Sequence, residues 1–540
     1  MFTLRGTVTN ARTGQPLANA SVFAVNKKYA TLTSGQGAYE LELKADQKYF
    51  GVSVRMHNYL DTVVVIRPGD QTLNVRLMPI PEDIERMPTR EAELAVVEHP
   101  RDVEELGVVK LMVPERQRLL NINFDSFFTD IPAQISLLPS IGTNRLVSGS
   151  VENNLSINIL AGYSYAVKGL EVGGLVNITR TNMRGLQAAG LGNVVGGNVR
   201  GVQAAGFFNN CRGSLTGLQA AGFYNVVLDT IRGVQAAGFS NVCHGYMEGG
   251  QVSGFYNLST NNLDGAQIAG FINVARGDVN VGQAAGFINL GENIGGAQVA
   301  GFINVAKGDV DGAQAAGYIN IANNVNAAQV SGFANMASGE VKGVQISGFL
   351  NIGKKIGGGQ IGLFNFADTV AGLSFGLFSF VKKGYHEVEL SANELMSFNA
   401  AFKTGTRHLY NNFTFGVNDF DSNTLGMIGY GFGTEFWMKR WIKSERFRGN
   451  IDLTAHQVQR NFRSTPRLDL VNRLTIAGGI HLGKALAITA GPVFSLHVSQ
   501  HTDSETGEFV TLVPYKPLFE DLDGETYVGA WIGWRVAIRI

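Results

Sequence analysis

Charge is scarce in this chain. Asp, Glu, Lys and Arg make up 16% of its 540 residues, 44 basic against 44 acidic. A balance of zero excludes the basic bias of a general nucleic-acid or anionic-surface binder, and the total is low for a water-exposed surface of this size. Long apolar runs are missing too: no stretch of 18 apolar residues occurs, so no transmembrane helix is expected. A membrane barrel is not excluded, because crossing strands carry a much weaker signal. Proline is absent between Ser140 and Thr465. Proline cannot donate to a ladder, so such a tract is what continuous strand pairing needs. There are two cysteines, Cys211 and Cys243, each eight residues after a repeated Gln and two repeats apart. Stacked neighbours ~4.8 Å apart would leave ~10 Å between them, beyond disulfide reach, so both are expected to be small apolar fillers. No leader precedes the strand-like Phe2–Gly6, and a barrel reading therefore expects one to have been removed or to lie upstream.

What the chain does have is a Gln every 15 or 16 residues, set among glycines. It recurs at Gln187, Gln203, Gln219, Gln235, Gln251, Gln267, Gln283, Gln298, Gln314, Gln329, Gln345 and Gln360, and the unit reads Gly-x-Gln-Ala-Ala-Gly-Phe-x-Asn, as in Gly201–Asn209. So strict a period marks one supersecondary unit copied many times. Numbered from the Gln, offsets 0, +2, +4 and +6 hold Gln, a small residue, Phe and Asn (Asn209, Asn225, Asn273, Asn304), and the odd offsets are apolar. Between Arg184 and Asn365 there are 17 charged residues, all at offset −3 or at +9 to +11. The uncharged interval matches the ~9–11 residues of a strand crossing hydrocarbon.

Setting Phe of one repeat opposite Gln of the next in an antiparallel pair puts every midpoint in a tight loop rich in Gly, Asn or Asp, such as Arg276-Gly277-Asp278 or Lys307-Gly308-Asp309. This predicts an antiparallel barrel of roughly 22 strands over residues 129–540, with repeats at about 170–382 and C-terminal strands at 385–540. The repeat Gln and Asn, together with Arg535 and Arg539, would face its interior, lining a pore or filling it with side-chain amide ladders. The alternative is a β-solenoid with one coil per repeat, in which identical residues stack; a solenoid in water should present a polar face, and neither alternating set supplies one.

Residues 1–80 read as short strands, Thr3–Val8, Ser21–Val25, Ala38–Leu43, Gly51–Met56, Thr62–Ile66 and Thr72–Leu77, separated by turn signals. The motifs Gly6-Thr7-Val8, Thr13–Val22 and Ser34–Tyr39 resemble the carboxypeptidase regulatory-like domain, which implies a transthyretin-like β-sandwich without catalytic residues, of a kind found at the N-terminus of bacterial outer-membrane proteins. Residues 81–128, with Pro81, Pro88, Pro100 and Pro114 among charges, read as a linker with one short strand at Val108–Val113. At the other end Ala530–Ile540 alternates strictly, Ile532, Trp534, Val536 and Ile538 against Arg535 and Arg539, as a barrel-closing strand does. Trp437, Trp441, Trp531 and Trp534 would sit at an interface belt. Over about residues 130–420 the Gly-x-Gln-x-x-Gly-x-x-Asn units resemble surface-repeat proteins of Gram-negative bacteria and spirochaetes, which implies a cell-envelope location and no particular activity.

No residue pattern points to catalysis, a metal or a cofactor. His497 and His501 read as rim residues; Asp503, Glu505, Glu508, Glu520, Asp521 and Asp523 read as a solvated acidic loop. The expected function is a non-enzymatic outer-membrane barrel, a pore or an anchor. Its partners would be membrane lipid and, through residues 1–80, other envelope proteins, with no nucleic acid. The alternative is a surface solenoid for adhesion or binding.

Overall fold

A computed structural model describes residues 1–25, 29–80, 103–123, 129–418, 424–437, 446–460, 467–482, 486–502, 512–513, 515–523 and 525–540. Trp441, the acidic Asp503, Glu505 and Glu508, and residues 81–102 with their prolines lie outside these. The chain divides into two compact units, Met1–Gly286 and Phe287–Ile540.

The first unit opens with a sandwich of two sheets. One joins Phe2–Asn10 to Ala38–Leu43 and to the short Gln71–Thr72 and Val75–Leu77; the other runs Ala30–Leu32, Ser21–Ala24, Phe50–Arg55, Thr62–Ile66. Alternate residues of both close a core around Leu4, Val8, Val22, Leu41, Val52 and Leu77. The segment expected to be a strand at Val108–Val113 is instead helix α1 (Gly107–Met112), followed after Pro114 by α2 (Glu115–Ile122). The physical reason is packing: Val109 and Val113 are four residues apart, on one helical face, and both join Tyr163, Val176, Ile178 and Val194 of the first repeats.

In both units the repeats run parallel, which overturns the antiparallel barrel expected for them. Gln187 pairs with Gln203, Gln203 with Gln219, and Phe208 with Tyr224; in the second unit Gln298 pairs with Gln314 and Gln314 with Gln329. Each repeat is one coil of a β-solenoid-like stack. A first strand (Leu215–Ala221, for instance) is followed by a corner at the Gly and Phe of offsets +3 and +4, then by a four-residue second strand (Tyr224–Val227). The corner turns Phe away from the Gln face, which simple alternation assigns to it, and toward the outside. The glycines make this winding possible. At Gly206 and Gly222 a Cβ would overlap the carbonyl oxygen of the preceding repeat's Gly190 and Gly206, and at offset −2 Gly201 and Gly217 hold φ of +130° and +129°.

The C-terminal strands of the second unit are antiparallel and close on themselves. Eight long strands, Tyr385–Asn393, Phe398–Gly405, Tyr410–Asn418, Leu425–Trp437, Phe447–Arg460, Asp469–His481, Ala487–Ser499 and Thr526–Arg539, pair in sequence, and the first returns to the last through Glu389↔Arg539 and Asn393↔Arg535. Phe519–Asp523 adds a short strand on Thr526–Ala530; Glu520, Asp521 and Asp523 thus lie in an exposed strand rather than in a loop. The roughly 22-strand barrel is therefore replaced by eight strands with a separate solenoid-like tract before them.

Candidate functional site: amide ladders and a charged barrel interior

The repeat Gln and Asn side chains lie inside the coils, as structural ladders. In the first unit Gln203 Nε2 donates to Gln187 Oε1 at 2.6 Å, and the pattern continues to Gln283 on Gln267 at 2.8 Å. In the second unit it runs from Gln314 on Gln298 to Gln360 on Gln345, both 2.8 Å. The Asn ladder donates in the opposite sense: Asn209 Nδ2 to Asn225 Oδ1 at 2.9 Å, Asn257 to Asn273 at 3.0 Å, and Asn304 to Asn320 at 3.0 Å. Each of these Asn also donates to a main-chain carbonyl of the following coil, as Asn257 does to Ile268. Buried amides are thus paired on both sides, and aligned chains of them polarise one another.

Glu171 occupies the Gln position one coil before Gln187 and ends the ladder. It is fully buried and accepts from Gln187 Nε2 at 2.7 Å, Thr179 Oγ1 at 3.1 Å and Asn158 Nδ2 at 3.1 Å. Burial pushes its carboxyl above the ordinary range, against the opposing pull of those donors. A carboxyl with a raised folded pKa contributes most below its unfolded value, and stability falls as pH rises through the folded value. Glu171→Gln, which continues the ladder with a neutral amide, should flatten that slope. Comparing denaturant midpoints at pH 5 and pH 8 checks this; an unchanged slope contradicts it.

Cys211 and Cys243 are free and buried, with Val227 between them in the ladder. Burial pushes the Cys243 thiol up to about 12. Since the thiolate is the nucleophile, Cys243 should resist maleimide at pH 8 in the folded protein and react after unfolding, as peptide mass mapping would read.

Beyond an exposed charged row at offset −3, such as Arg232 and Glu248, the outside of the coils is apolar. Phe207, Phe223, Phe239 and Phe255 stack face to face with ring centroids 4.7–4.8 Å apart, and Phe302, Tyr318, Phe333 and Phe349 do the same at 4.8–4.9 Å. These rings stay more than a third exposed at Phe223, Phe255, Tyr318 and Phe349. Val252, Ile268, Val299, Val330 and Ile346 at offset +1 are exposed as well.

The barrel repeats this inversion. Ile532, Trp534, Val536 and Ile538 point outward at 46–52% exposure, while Arg535 and Arg539 are buried inside at 7% and 3%. Lys403 Nζ lies 3.0 Å from Glu389 and 3.0 Å from Asp452. Arg539 Nε lies 2.7 Å from Glu389, Arg535 pairs with both Glu389 and Asp452, and Arg539 also reaches Glu435 at 3.4 Å. Tyr410 Oη donates to Asp452 at 2.5 Å and Tyr385 Oη to Glu435 at 3.1 Å. Arg448 lies 2.9 Å from Glu435 and Glu387 3.7 Å from Arg539, so four carboxylates and four cations neutralise one another across the lumen. Beside them is a cavity of about 30 Å³, room for little more than a water. His497, expected at a rim, is buried inside the barrel, 2.7 Å from Asp469. Trp531, expected at an interface belt, is also inside and donates to Glu394 at 3.3 Å. The strict alternation of the last strand singles out Arg535 and Arg539 from sequence, but nothing so clear marks Glu389, Lys403, Glu435 or Asp452. The signal for them is charge at alternate positions of otherwise apolar strands, as in Glu387-Val388-Glu389-Leu390.

In the N-terminal sandwich, Gly6 is pressed so closely against the Leu73 carbonyl that no Cβ fits, and Gly37 turns with φ +71° after Ser34. Residues 3–78 match the carboxypeptidase regulatory-like domain. The end of α2 fastens this regulatory-like domain to the helical segment: Asn123 Nδ2 donates to Asn19 O at 3.0 Å and Ser21 Oγ at 2.9 Å, and Leu120 packs with Phe23. A search of curated proteins finds no match to the chain.

Proposed function

We propose that the C-terminal barrel anchors the protein in a bacterial outer membrane, and that the chain is a non-enzymatic envelope protein displaying a repeat stack and a regulatory-like domain. The observation that carries this reading is the inverted barrel: a wall of Ile, Val, Phe and Trp side chains around a charged, hydrogen-bonded interior. That is the arrangement hydrocarbon selects and water does not. Eight strands leave an interior just wide enough for side chains to fill, and the ion pairs occupy it. This favours an anchor over a transport pore. The regulatory-like domain is the proposed contact for other envelope proteins, and nucleic acid is not a partner in this reading. The test is extraction from membranes. The protein should resist carbonate, require detergent, and migrate faster on gels before boiling than after. Release by carbonate without detergent would overturn the assignment.

A further inference from the structure

We infer that the repeats of the second unit are themselves embedded in one leaflet of that membrane, with their charged turns at the headgroups and their aromatic corner near the bilayer midplane. This rests on the anchor reading of the barrel and adds a second lipid contact to it.

The last coil fixes the geometry. Its corner, Gly376-Leu377, meets the wall a few residues in from the rim, at Asn411 and its partner Phe432: Tyr430 Oη donates to the Gly376 carbonyl at 2.9 Å, Asn411 Nδ2 to the same oxygen at 2.7 Å, and Phe375 stacks on Phe432 at 5.1 Å. Tyr430 and Phe432 flank the centre of the strand Leu425–Trp437. The coil's other end, Lys382-Lys383, leads straight into Tyr385, which pairs with Gly405 beside the turn to Tyr410. That turn marks the barrel rim, where Arg407 and Arg448 lie over Trp437. From Phe432 to Trp437 is five residues, roughly 17 Å along a strand, or about 12 Å in depth at a tilt of ~45°. Half of a ~30 Å hydrocarbon core is about 15 Å. The coil therefore spans one leaflet and stops.

The residue pattern fits that depth. Glu292, Lys307 and Asp309 lie in turns on the rim side, and Glu340 and Lys354 in short strand segments at the same end. Asp311 and Lys342, at offset −3, stay beside those charged ends; from there to the corner the outer faces are uncharged, and the corner carries the Phe302–Phe349 stack. Water would be a poor solvent for so large an apolar surface, whereas lipid solvates faces and corner alike. The polar groups are held inside the coil by the amide ladders, as hydrocarbon requires.

The experiment uses the full chain in phosphatidylcholine vesicles, with an environment-sensitive fluorophore on single introduced cysteines. Phe333→Cys and Tyr318→Cys report the corner, Glu340→Cys the charged end, and Ile532→Cys the barrel wall. Corner labels should lose more fluorescence to lipid carrying a nitroxide at acyl carbon 12 than to a headgroup nitroxide, and the charged-end label the reverse. If the wall label is quenched by lipid but neither corner label is, the leaflet inference fails and the anchor stands. If the wall label is not quenched either, both fail. Corner labels shielded from lipid and from aqueous iodide alike would show a protein partner there and also overturn the inference.

Discussion

Lys403→Met should destabilise the barrel by about 3–5 kcal/mol, the cost of leaving a buried carboxylate without its partner. Lys403 is fully buried, and its ammonium bridges Glu389 and Asp452 at 3.0 Å each. With it gone, Arg448, Arg535 and Arg539 must neutralise Glu387, Glu389, Glu435 and Asp452, which leaves one uncompensated negative charge in the lumen. Lys403→Met combined with Asp452→Asn restores the balance and should recover much of the loss, since replacing both members of a buried pair costs far less than removing one. Urea-dependent refolding into vesicles, followed by the shift in gel migration, measures both variants. Equal midpoints for Lys403→Met and the parent would refute the role given to the network, and so would a double variant no better than the single.

Asn257→Leu should loosen the repeats of the first unit by about 3 kcal/mol or more, from three hydrogen-bonding partners each left short by about 1 kcal/mol or more. Asn257 Nδ2 supplies the Ile268 carbonyl at 2.7 Å and Asn273 Oδ1 at 3.0 Å, and its Oδ1 accepts from Asn241 at 3.0 Å. Leu has similar bulk, so volume changes little and the effect reads the hydrogen bonds. In a stack each coil contacts only its neighbours, so the damage should stay local. Amide exchange should speed up in Tyr256–Ser259 and the adjoining second strands while the regulatory-like domain keeps its protection. Uniform exchange across the unit would argue against a ladder acting coil by coil.

The two ends of the chain are legible in the sequence because their patterns have one solution. The strands of residues 1–80 announce themselves by turn chemistry between alternating segments, and Ala530–Ile540 alternates so cleanly that Arg535 and Arg539 can lie on only one face. The repeats are harder. An antiparallel register places Phe beside Gln and a parallel one places Gln beside Gln, and both satisfy the same period, the same Pro-free tract and the same turns. Direction is encoded in the glycines at −2 and +3. They sit mid-strand, where a hairpin has no use for them and a coil needs them for close carbonyl approach and for the corner. A solenoid is disfavoured only if its outer surface must suit water. With Gln and Asn inside and Phe, Val and Ile outside, these coils do not meet that condition. The barrel's ion pairs escape a sequence reading because charges such as Lys403 and Asp452 lie far apart along the chain and meet only when the sheet closes.

A stack of identical rungs has no natural end, and its last strand offers open hydrogen-bonding groups to any other copy. Here Phe378–Val381 is followed at once by the barrel, whose Asn411 donates to Gly376 O and accepts from Ser379 N, and whose Thr404 donates to the Ser379 carbonyl. In the first unit Tyr163 of the opening coil is sealed by α1 and by a buried Arg180–Glu104 pair at 2.6 Å. The opening coil of the first unit and the closing coil of the second are thus each covered by a different piece of the same chain, which works against the addition of further copies at those edges.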